Sequence, residues 1–280
     1  MSQPKISNPV TALAETDATG EIADIFADIR ETMELPLITS IWRILVDIDD
    51  GLSTAWHATK PLYQTGQPQA ALTMMREQGS LPMPEPLTRS QLACVGVSQD
   101  DLPAVHAILD AYNRSNGLNL IALTALVVTP AGSPAHDPVP PSPRPWPQLL
   151  PLLRQDDISH DTWQLLHDVA RINMRFGPPN REPSIATIWR HLAHWPGLLA
   201  LAYMGFSSLG QSGQLQRAMA QIDQIAQTQG ARIAHLRTGI DAIPQDAYDL
   251  IARYASGVHR IVTMGHILSN WLHALGEEGA

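Results

Sequence analysis

The side chains best suited to chemistry in this sequence include five histidines in two groups. His191 and His194 lie three residues apart, about one helical turn, where a metal pair or a general base is conceivable. No carboxylate falls at a helpful spacing on the same predicted helix, so we interpret both as structural residues at a helix surface. His259, His266 and His273 recur every seven residues, which predicts a partly exposed stripe along the last helix.

Two arginines occupy matching positions in near-identical hexapeptides, SIWRIL (residues 40–45) and TIWRHL (residues 187–192). A guanidinium beside a cavity holds a carboxylate through two parallel hydrogen bonds, and it also binds the carbonyl groups at helix ends. Both roles are open for Arg43 and Arg190.

A polar segment, YNRSNGLNLIALTAL (Tyr112–Leu126), separates two apolar stretches. Asn113, Ser115, Asn116 and Asn119 predict a break between two helices, because these residue types accept hydrogen bonds from the first amides of a helix. The same donors and acceptors are able to hold a small anion.

Composition excludes several functional classes. The formal net charge is −9 and no Lys/Arg cluster occurs, which argues against nucleic-acid binding. Cys94 is the single cysteine, so Cys-x-x-Cys chemistry and a thiolate metal site are ruled out. The longest apolar run, Leu120–Val128, falls short of the roughly 20 residues of a membrane span. With no export signal at the start, we expect a cytoplasmic protein without a metal.

The hexapeptides belong to a longer internal match. Three pairs recur in the same order at nearly one offset: Trp42 with Trp189 (147 residues), Gly51 with Gly197 (146), and Val97–Asp101 with Ile243–Ala247 (146). Between the copies, Thr129–Gln148 contains eight prolines, which favour an extended linker. The order of these matches indicates a duplicated unit.

Apolar residues recur every three or four positions in both copies, whereas strand-like alternation is missing. We therefore predict an all-α fold of two tandem homologous helical repeats that form a pseudo-dimer with an inter-repeat cavity. The first repeat covers residues 1–128, the Pro-rich linker 129–150, and the second repeat 151–280. Trp42 and Trp189 are expected in the core.

Three segments carry a resemblance to a known family: LPLITSIWRIL, LDAYNRSNGLNLIALTAL and HLAHWPGLLALA. Together with the duplication and the length, they resemble the group I 2-haloacid dehalogenases, which act on both D- and L-substrates. The resemblance implies a site buried between the repeats, where an aspartate activates water to attack the halogen-bearing carbon with inversion. It implies a small carboxylate substrate and no cofactor, and it leaves a homodimer open.

Transferred position by position, the resemblance gives a substrate-binding set. The family's binding asparagine matches Asn116, and the aromatic residue three positions later is Asn119 here. Two pocket aromatics are replaced by Leu37 and Ser40. Ile188 stands at the position of the family's catalytic aspartate, and Thr187 is the residue before it. These two residues complete the set.

Ile188 is unable to accept a proton, so the identity of the base is unknown. The candidates are Glu182, His191 and His194. We therefore expect a hydrolase of the 2-haloacid dehalogenase type. The alternative is a catalytically altered or inactive relative that binds a small carboxylate or an apolar ligand between the repeats.

Overall fold

Helices account for nearly all regular structure in the described part of the chain. The computed structural model describes residues 12–134, 145–174 and 184–275. The α-helices are α1 (Gly20–Met33), α2 (Ser40–Leu45), α3 (Gly51–Gln64), α4 (Gln67–Gln78), α5 (Arg89–Cys94), α6 (Leu102–Val127), α7 (His160–Met174), α8 (Thr187–His191), α9 (Pro196–Gln211), α10 (Gln214–Ile233) and α11 (Gln245–His273). No strand occurs in these ranges, so the predicted all-α class is confirmed. None of these helices combines the length and apolar character of a bilayer crossing.

The two halves of the chain present their helices in the same order. Each has a helix of 14 or 15 residues, a short helix of 6 or 5, two further helices, and a long final helix of 26 or 29 residues. Only α5 has no counterpart among the described helices. Trp42 and Trp189 are each the third residue of the short helix, and both are fully buried as expected.

The long helices α6 and α11 pack against each other in opposite directions. One apolar cluster joins the C-terminal part of α6, Leu118–Leu126, to the N-terminal part of α11. A second cluster joins the N-terminal part of α6 to Met264–Leu272 of α11. The short helix α2 contacts α11, and α8 contacts α6. Each half therefore rests on the long helix of the other half.

Gly265 marks a close approach between α6 and α11. A Cβ atom at this position would overlap the amide oxygen of Asn113, and it would lie 3.4 Å from Cδ1 of Ile188. The amide nitrogen of Asn113 donates to the carbonyl of Gly265 at 3.1 Å. Glycine is required here because the helices approach closely, and its backbone conformation is ordinary.

The predicted helix break at Asn113–Asn119 is wrong. The helix α6 runs from Leu102 to Val127 without interruption, and the polar side chains bond to neighbouring elements instead. Asn113 bonds to Gly265 and Asn119 to Thr39, so these amides find partners away from their own backbone. An asparagine inside a helix is tolerated when tertiary contacts satisfy its amide.

The histidine stripe predicted for the last helix is partly wrong. His266 is buried, His259 is half-buried and His273 is exposed. Because α11 packs along α6, the face that carries His266 is covered rather than solvated.

Two side chains from connecting segments bind carbonyl groups at the C-terminal ends of α1 and α6. Trp146, in the Pro-rich segment, donates its indole N–H to the carbonyl of Glu34 at 2.8 Å, just beyond α1. Arg237 donates to the carbonyls of Ala125 and Leu126 in the last turn of α6, at 3.1 Å each. A cation there is favoured because those carbonyls lack helical partners.

Alanine at Gly265 should destabilise the protein, since the added methyl group overlaps Asn113. We expect the free energy of unfolding to fall by about 1–3 kcal/mol, as for overpacked cores. Gly210 in α9 is the matched control because a Cβ there meets nothing within 4 Å. Its alanine variant should gain up to about 1 kcal/mol from helix propensity. Urea denaturation measures the free energy of unfolding of both variants. Equal changes in that free energy would contradict the close approach of α6 and α11.

Candidate functional site

The short helix α8 lies at the centre of the candidate site. All five of its residues, Thr187–His191, are buried. Ile188 is 1% exposed and shares an apolar cluster with Leu37 and Tyr112. Its Cδ1 also lies close to Gly265, beside Asn113. The position where the resemblance implies an aspartate is therefore apolar and closed to bulk water.

Asn119 forms the hub of a buried hydrogen-bond network. Its amide oxygen accepts from the indole N–H of Trp42 at 3.1 Å and from the phenol of Tyr63 at 2.8 Å. Its amide nitrogen donates to the hydroxyl of Thr39 at 2.9 Å, and that hydroxyl also bonds to Ser115. These bonds join α2, α3 and α6, and they occupy most of the capacity of the Asn119 amide.

Asn116 lies one turn earlier on α6 and makes fewer contacts. Its amide oxygen accepts from the phenol of Tyr254 on α11 at 3.3 Å. Burial raises the pKa of Tyr254 well above its ordinary value, so this phenol remains a donor at neutral pH. Asn116 is 7% exposed. Its amide nitrogen is able to donate a hydrogen bond to a ligand beside the phenol of Tyr254.

The second half lacks the network that surrounds Trp42. The indole N–H of Trp189 and the hydroxyl of Thr187 are both buried, and neither has a hydrogen-bond partner among the described residues. Trp189 packs edge-on against Phe206 of α9, with ring centroids 5.8 Å apart. A buried polar atom without a partner costs about 1–3 kcal/mol, so these two donors are sites where a ligand or water would be stabilised.

His191 is held by hydrogen bonds on both ring nitrogens. Nε2 lies 2.6 Å from the carbonyl of Leu150, and Nδ1 lies 3.3 Å from the phenol of Tyr112. A carbonyl only accepts, so Nε2 carries the proton and Nδ1 presents a lone pair. Burial lowers the pKa of His191 to about 4, although the bond to Leu150 opposes the shift. At neutral pH His191 is an uncharged and weak base.

His194 binds the same stretch of backbone one residue further on. Its Nε2 lies 2.9 Å from the carbonyl of Pro151, so the two histidines anchor the end of the predicted linker to α8 and the turn that follows it. His194 is half-buried, whereas His191 is 4% exposed, so the expectation of a surface position is wrong for His191. The third candidate base, Glu182, lies outside the described residues.

Two buried arginines approach the site from the two halves. Arg43 on α2 is 3% exposed and Arg190 on α8 is 7% exposed. Burial lowers the pKa of each guanidinium, and the charge of Arg43 lowers the pKa of Arg190 further. Both charges also act on Tyr112, whose pKa is raised by its burial. Arginine keeps its proton in proteins, so both guanidinium groups are charged where they act on Tyr112.

The structure brings part of the predicted binding set together. Leu37 and Ile188 share one apolar cluster, and Thr187 and Asn116 lie on the adjoining helices α8 and α6. Asn119 belongs instead to the network around Trp42, and Ser40 is half-buried at the start of α2. A cavity of about 260 Å³ lies elsewhere, between α3 and the turn Ile240–Ala242, and it contacts none of the predicted set.

Sequence reasoning missed Tyr112 as a site residue. Its phenol and ring contact His191, and both buried arginines act on it. A signal existed in the spacing of Tyr112, Asn116 and Asn119, which places all three on one face of a continuous helix. Interpreting the segment as a helix break concealed that face.

No group of three or more His, Cys, Asp or Glu side chains in the described ranges is arranged to hold a metal ion. The residues that meet at α8 are apolar, amide, hydroxyl, imidazole and guanidinium groups. Such a set suits a small organic anion with an apolar body.

Comparison with known proteins finds relatives named as 2-haloacid dehalogenases. The chain is 27% identical over 200 residues to a configuration-inverting 2-haloacid dehalogenase of Alcaligenes xylosoxydans xylosoxydans, covering 68% of this chain and 65% of that relative. It is 25% identical over 199 residues to a configuration-inverting 2-haloacid dehalogenase of Pseudomonas sp. (strain 113), covering 66% and 62%. The matched region thus spans somewhat less than two thirds of either relative. No protein-family model matches the sequence.

The fold matches solved structures over nearly the whole chain. A mutant D-2-haloacid dehalogenase superimposes with a TM-score of 0.74 at 16% identity, covering 98% of both chains. A D-2-haloacid dehalogenase in complex with L-LA gives 0.75 at 16% identity, covering 98% of this chain and 99% of that chain. In sequence the chain is similar to configuration-inverting 2-haloacid dehalogenases, and in fold it is similar to the structures of D-2-haloacid dehalogenase.

Acidification should weaken the fold through His191. The folded-state pKa of about 4 lies below the ordinary value of 6.5, so below pH 6.5 the unfolded chain binds a proton that the folded chain does not. Stability is therefore lost as pH falls from 6.5 towards 4, by up to about 1.4 kcal/mol per pH unit for one histidine. Urea denaturation of the wild type and His191→Gln at pH 7 and pH 5 measures this loss.

The Gln variant should lose about 2 kcal/mol less than the wild type between those two pH values. His57→Gln is the control, because His57 is exposed on α3, and it should follow the wild-type curve. Identical pH dependence for wild type and His191→Gln would show that His191 titrates normally in the folded protein.

Proposed function

We propose that the protein is a hydrolase of the 2-haloacid dehalogenase type, acting on small 2-haloalkanoic acids. The observation that carries this proposal is the relationship to configuration-inverting 2-haloacid dehalogenases in sequence, joined to a fold match over 98% of the chain. Water attacks the halogen-bearing carbon directly, and the halide leaves with the bonding electron pair. The product is the 2-hydroxy acid.

The substrate occupies the space between the halves, where α6 and α8 meet. Leu37 and Ile188 supply apolar contacts for the alkyl group and the halogen, since both lie in one buried cluster. Asn116 and Thr187 supply hydrogen-bond donors, and the partnerless hydroxyl of Thr187 supports this role. Asn119 supports the α2 side of the site through Thr39, and Ser40 is the residue that follows Thr39.

His191 is the proton acceptor in this proposal. Ile188 offers no lone pair, whereas Nδ1 of His191 does, one turn further along α8. Tyr112 yields this nitrogen to the attacking water, and the proton passes from His191 to solvent after halide release. A base with a pKa of about 4 accepts a proton poorly at neutral pH, so turnover is slow.

One observation favours the second candidate function, a relative that binds the acid without turning it over. The apolar side chain of Ile188 packs tightly against the close approach of α6 and α11, where a catalytic carboxylate would require charge stabilisation. Halide release separates the two candidates, because binding alone produces none.

We also propose that the chain consists of two homologous repeats, residues 1–128 and 151–280, which form a pseudo-dimer around the site and are joined by the linker 129–150. The matching order of helices and the equivalent positions of Trp42 and Trp189 support this division.

Separate expression of the halves tests the pseudo-dimer. Fragments 1–134 and 145–280 should copurify as a 1:1 complex when expressed together, because α2 and α8 each pack on the long helix of the other half. Each fragment alone should be unfolded or self-associated, as judged by circular dichroism and light scattering. A stably folded monomer from either fragment would contradict the interlocked arrangement.

The rate of halide release tests the role of position 188. Purified wild type should release at most a trace of chloride from D- or L-2-chloropropionate. Ile188→Asp restores a carboxylate, and general-base catalysis contributes about 10²–10⁴ in rate, so chloride release should rise. Burial should also raise the pKa of the new carboxyl group, and the cost of burying it should lower the yield of folded protein.

Ile188→Asn is the matched control, since it has the shape of aspartate without its basicity, and it should not gain activity. Robust turnover by the wild type would show that the base has been misplaced. Glu182→Gln, His191→Ala and His194→Ala would then identify it through the loss of activity in one variant.

A further inference from the structure

Two tyrosines, one from each half of the chain, donate hydrogen bonds to asparagine amides on α6. The phenol of Tyr63 on α3 bonds to the amide oxygen of Asn119 at 2.8 Å. The phenol of Tyr254 on α11 bonds to the amide oxygen of Asn116 at 3.3 Å. Asn116 and Asn119 are three residues apart, so both amides lie on the same side of α6. Neighbouring amides therefore meet phenols from opposite halves.

The nitrogen atoms of these two amides differ in their partners. The nitrogen of Asn119 donates to the hydroxyl of Thr39 at 2.9 Å, and its oxygen also accepts from the indole of Trp42. The bond from Tyr254 is the one hydrogen bond of the Asn116 side chain in the described part of the chain. Asn116 is nevertheless buried. Its amide therefore keeps two N–H donors for a ligand, whereas the amide of Asn119 serves the fold.

The orientation of the Asn116 amide depends on what lies on each side of it. A half-turn of the terminal torsion exchanges the amide oxygen and nitrogen, and this torsion has only a broad preference of its own. Burial raises the pKa of Tyr254, so its phenol keeps a proton to donate. That proton favours the orientation in which the oxygen faces Tyr254. An anionic acceptor on the other side favours the same orientation, and donation to the carbonyl strengthens the N–H donors.

We propose that Tyr254 is a positioning residue, whose phenol holds the amide oxygen of Asn116 and thereby turns the amide nitrogen towards the carboxylate of the acid. The role of Asn116 as a donor to an acid rests on the proposed function, but binding does not require turnover. Tyr254 does not touch the acid itself. Because Tyr254 belongs to the second half and Asn116 to the first, the site selects an acceptor only when the halves are packed together.

Titration calorimetry with sodium propionate and with propionamide tests the orientation without dehalogenation. The folded wild type should bind propionate more tightly, because a charged acceptor forms the stronger hydrogen bond. Tyr254→Phe should weaken propionate binding by about 3- to 10-fold, as for the loss of one hydrogen bond. Propionamide binding should change less, since the released Asn116 amide turns its oxygen towards the ligand's N–H groups. The measured quantity is the ratio of the two affinities, and a purely structural role would leave this ratio unchanged.

Tyr248→Phe is the matched control, because Tyr248 is also half-buried and lies six residues earlier on α11. It should leave both affinities unchanged. In an Asn116→Ala background, Tyr254→Phe should no longer alter the affinity ratio, since the phenol acts through the amide. If Tyr254→Phe fails to fold, Asn116→Asp decides the question. Aspartate keeps an acceptor for the phenol and removes the N–H donors, so the preference for propionate should disappear. A retained preference overturns the proposal.

The remaining outcomes separate this proposal from the proposed function. Equal weakening of both ligands by Tyr254→Phe, or no propionate binding by the folded wild type, overturns the positioning role. A Tyr254-dependent affinity ratio without any halide release from 2-chloropropionate supports the positioning role and refutes the proposed hydrolase. Halide release by the wild type, together with an affinity ratio that Tyr254→Phe leaves unchanged, supports the hydrolase and overturns the positioning role.

Discussion

The close approach of α6 and α11 is the constraint on which the remaining structure depends. The missing side chain at Gly265 lets Asn113 bond across the two helices, and Ile188 of α8 packs against the same point. Because α2 and α8 rest on these long helices, the approach also fixes the distance between the two halves. A Cβ atom at Gly265 would displace the amide of Asn113 and would bring the helix into contact with Ile188 of α8.

The sequence predicted the helical class and the burial of the two tryptophans, because both follow from the period and the size of apolar side chains. It failed where long-range contacts override local preference. Asn113 and Asn119 favour a helix break in isolation, but partners on other helices satisfy their amides inside α6. The sequence also failed to predict the burial of His191 and His266. Long-range contacts bury these side chains, and the neighbouring residues in the sequence do not reveal them.

The two short helices have similar sequences but different polar surroundings. The indole of Trp42 bonds to Asn119, which in turn is held by Tyr63 and Thr39. The indole of Trp189 and the hydroxyl of Thr187 have no such partners in the described structure. The polar groups around Trp42 are therefore hydrogen-bonded to one another, whereas Trp189 and Thr187 retain buried donors at the place where the proposed substrate lies. Sequence similarity between the hexapeptides alone did not reveal this difference.

The contacts of His191 and His194 with Leu150 and Pro151 make the connecting segment part of the site's surroundings. The Leu150 carbonyl selects which ring nitrogen of His191 carries the proton, so the backbone position of residue 150 governs the side of the imidazole that faces Tyr112. A displacement of the backbone at residue 150 would rotate or release this ring without altering any residue of α8. The connector is consequently under a geometric constraint of its own where residues 150 and 151 meet the two imidazole rings.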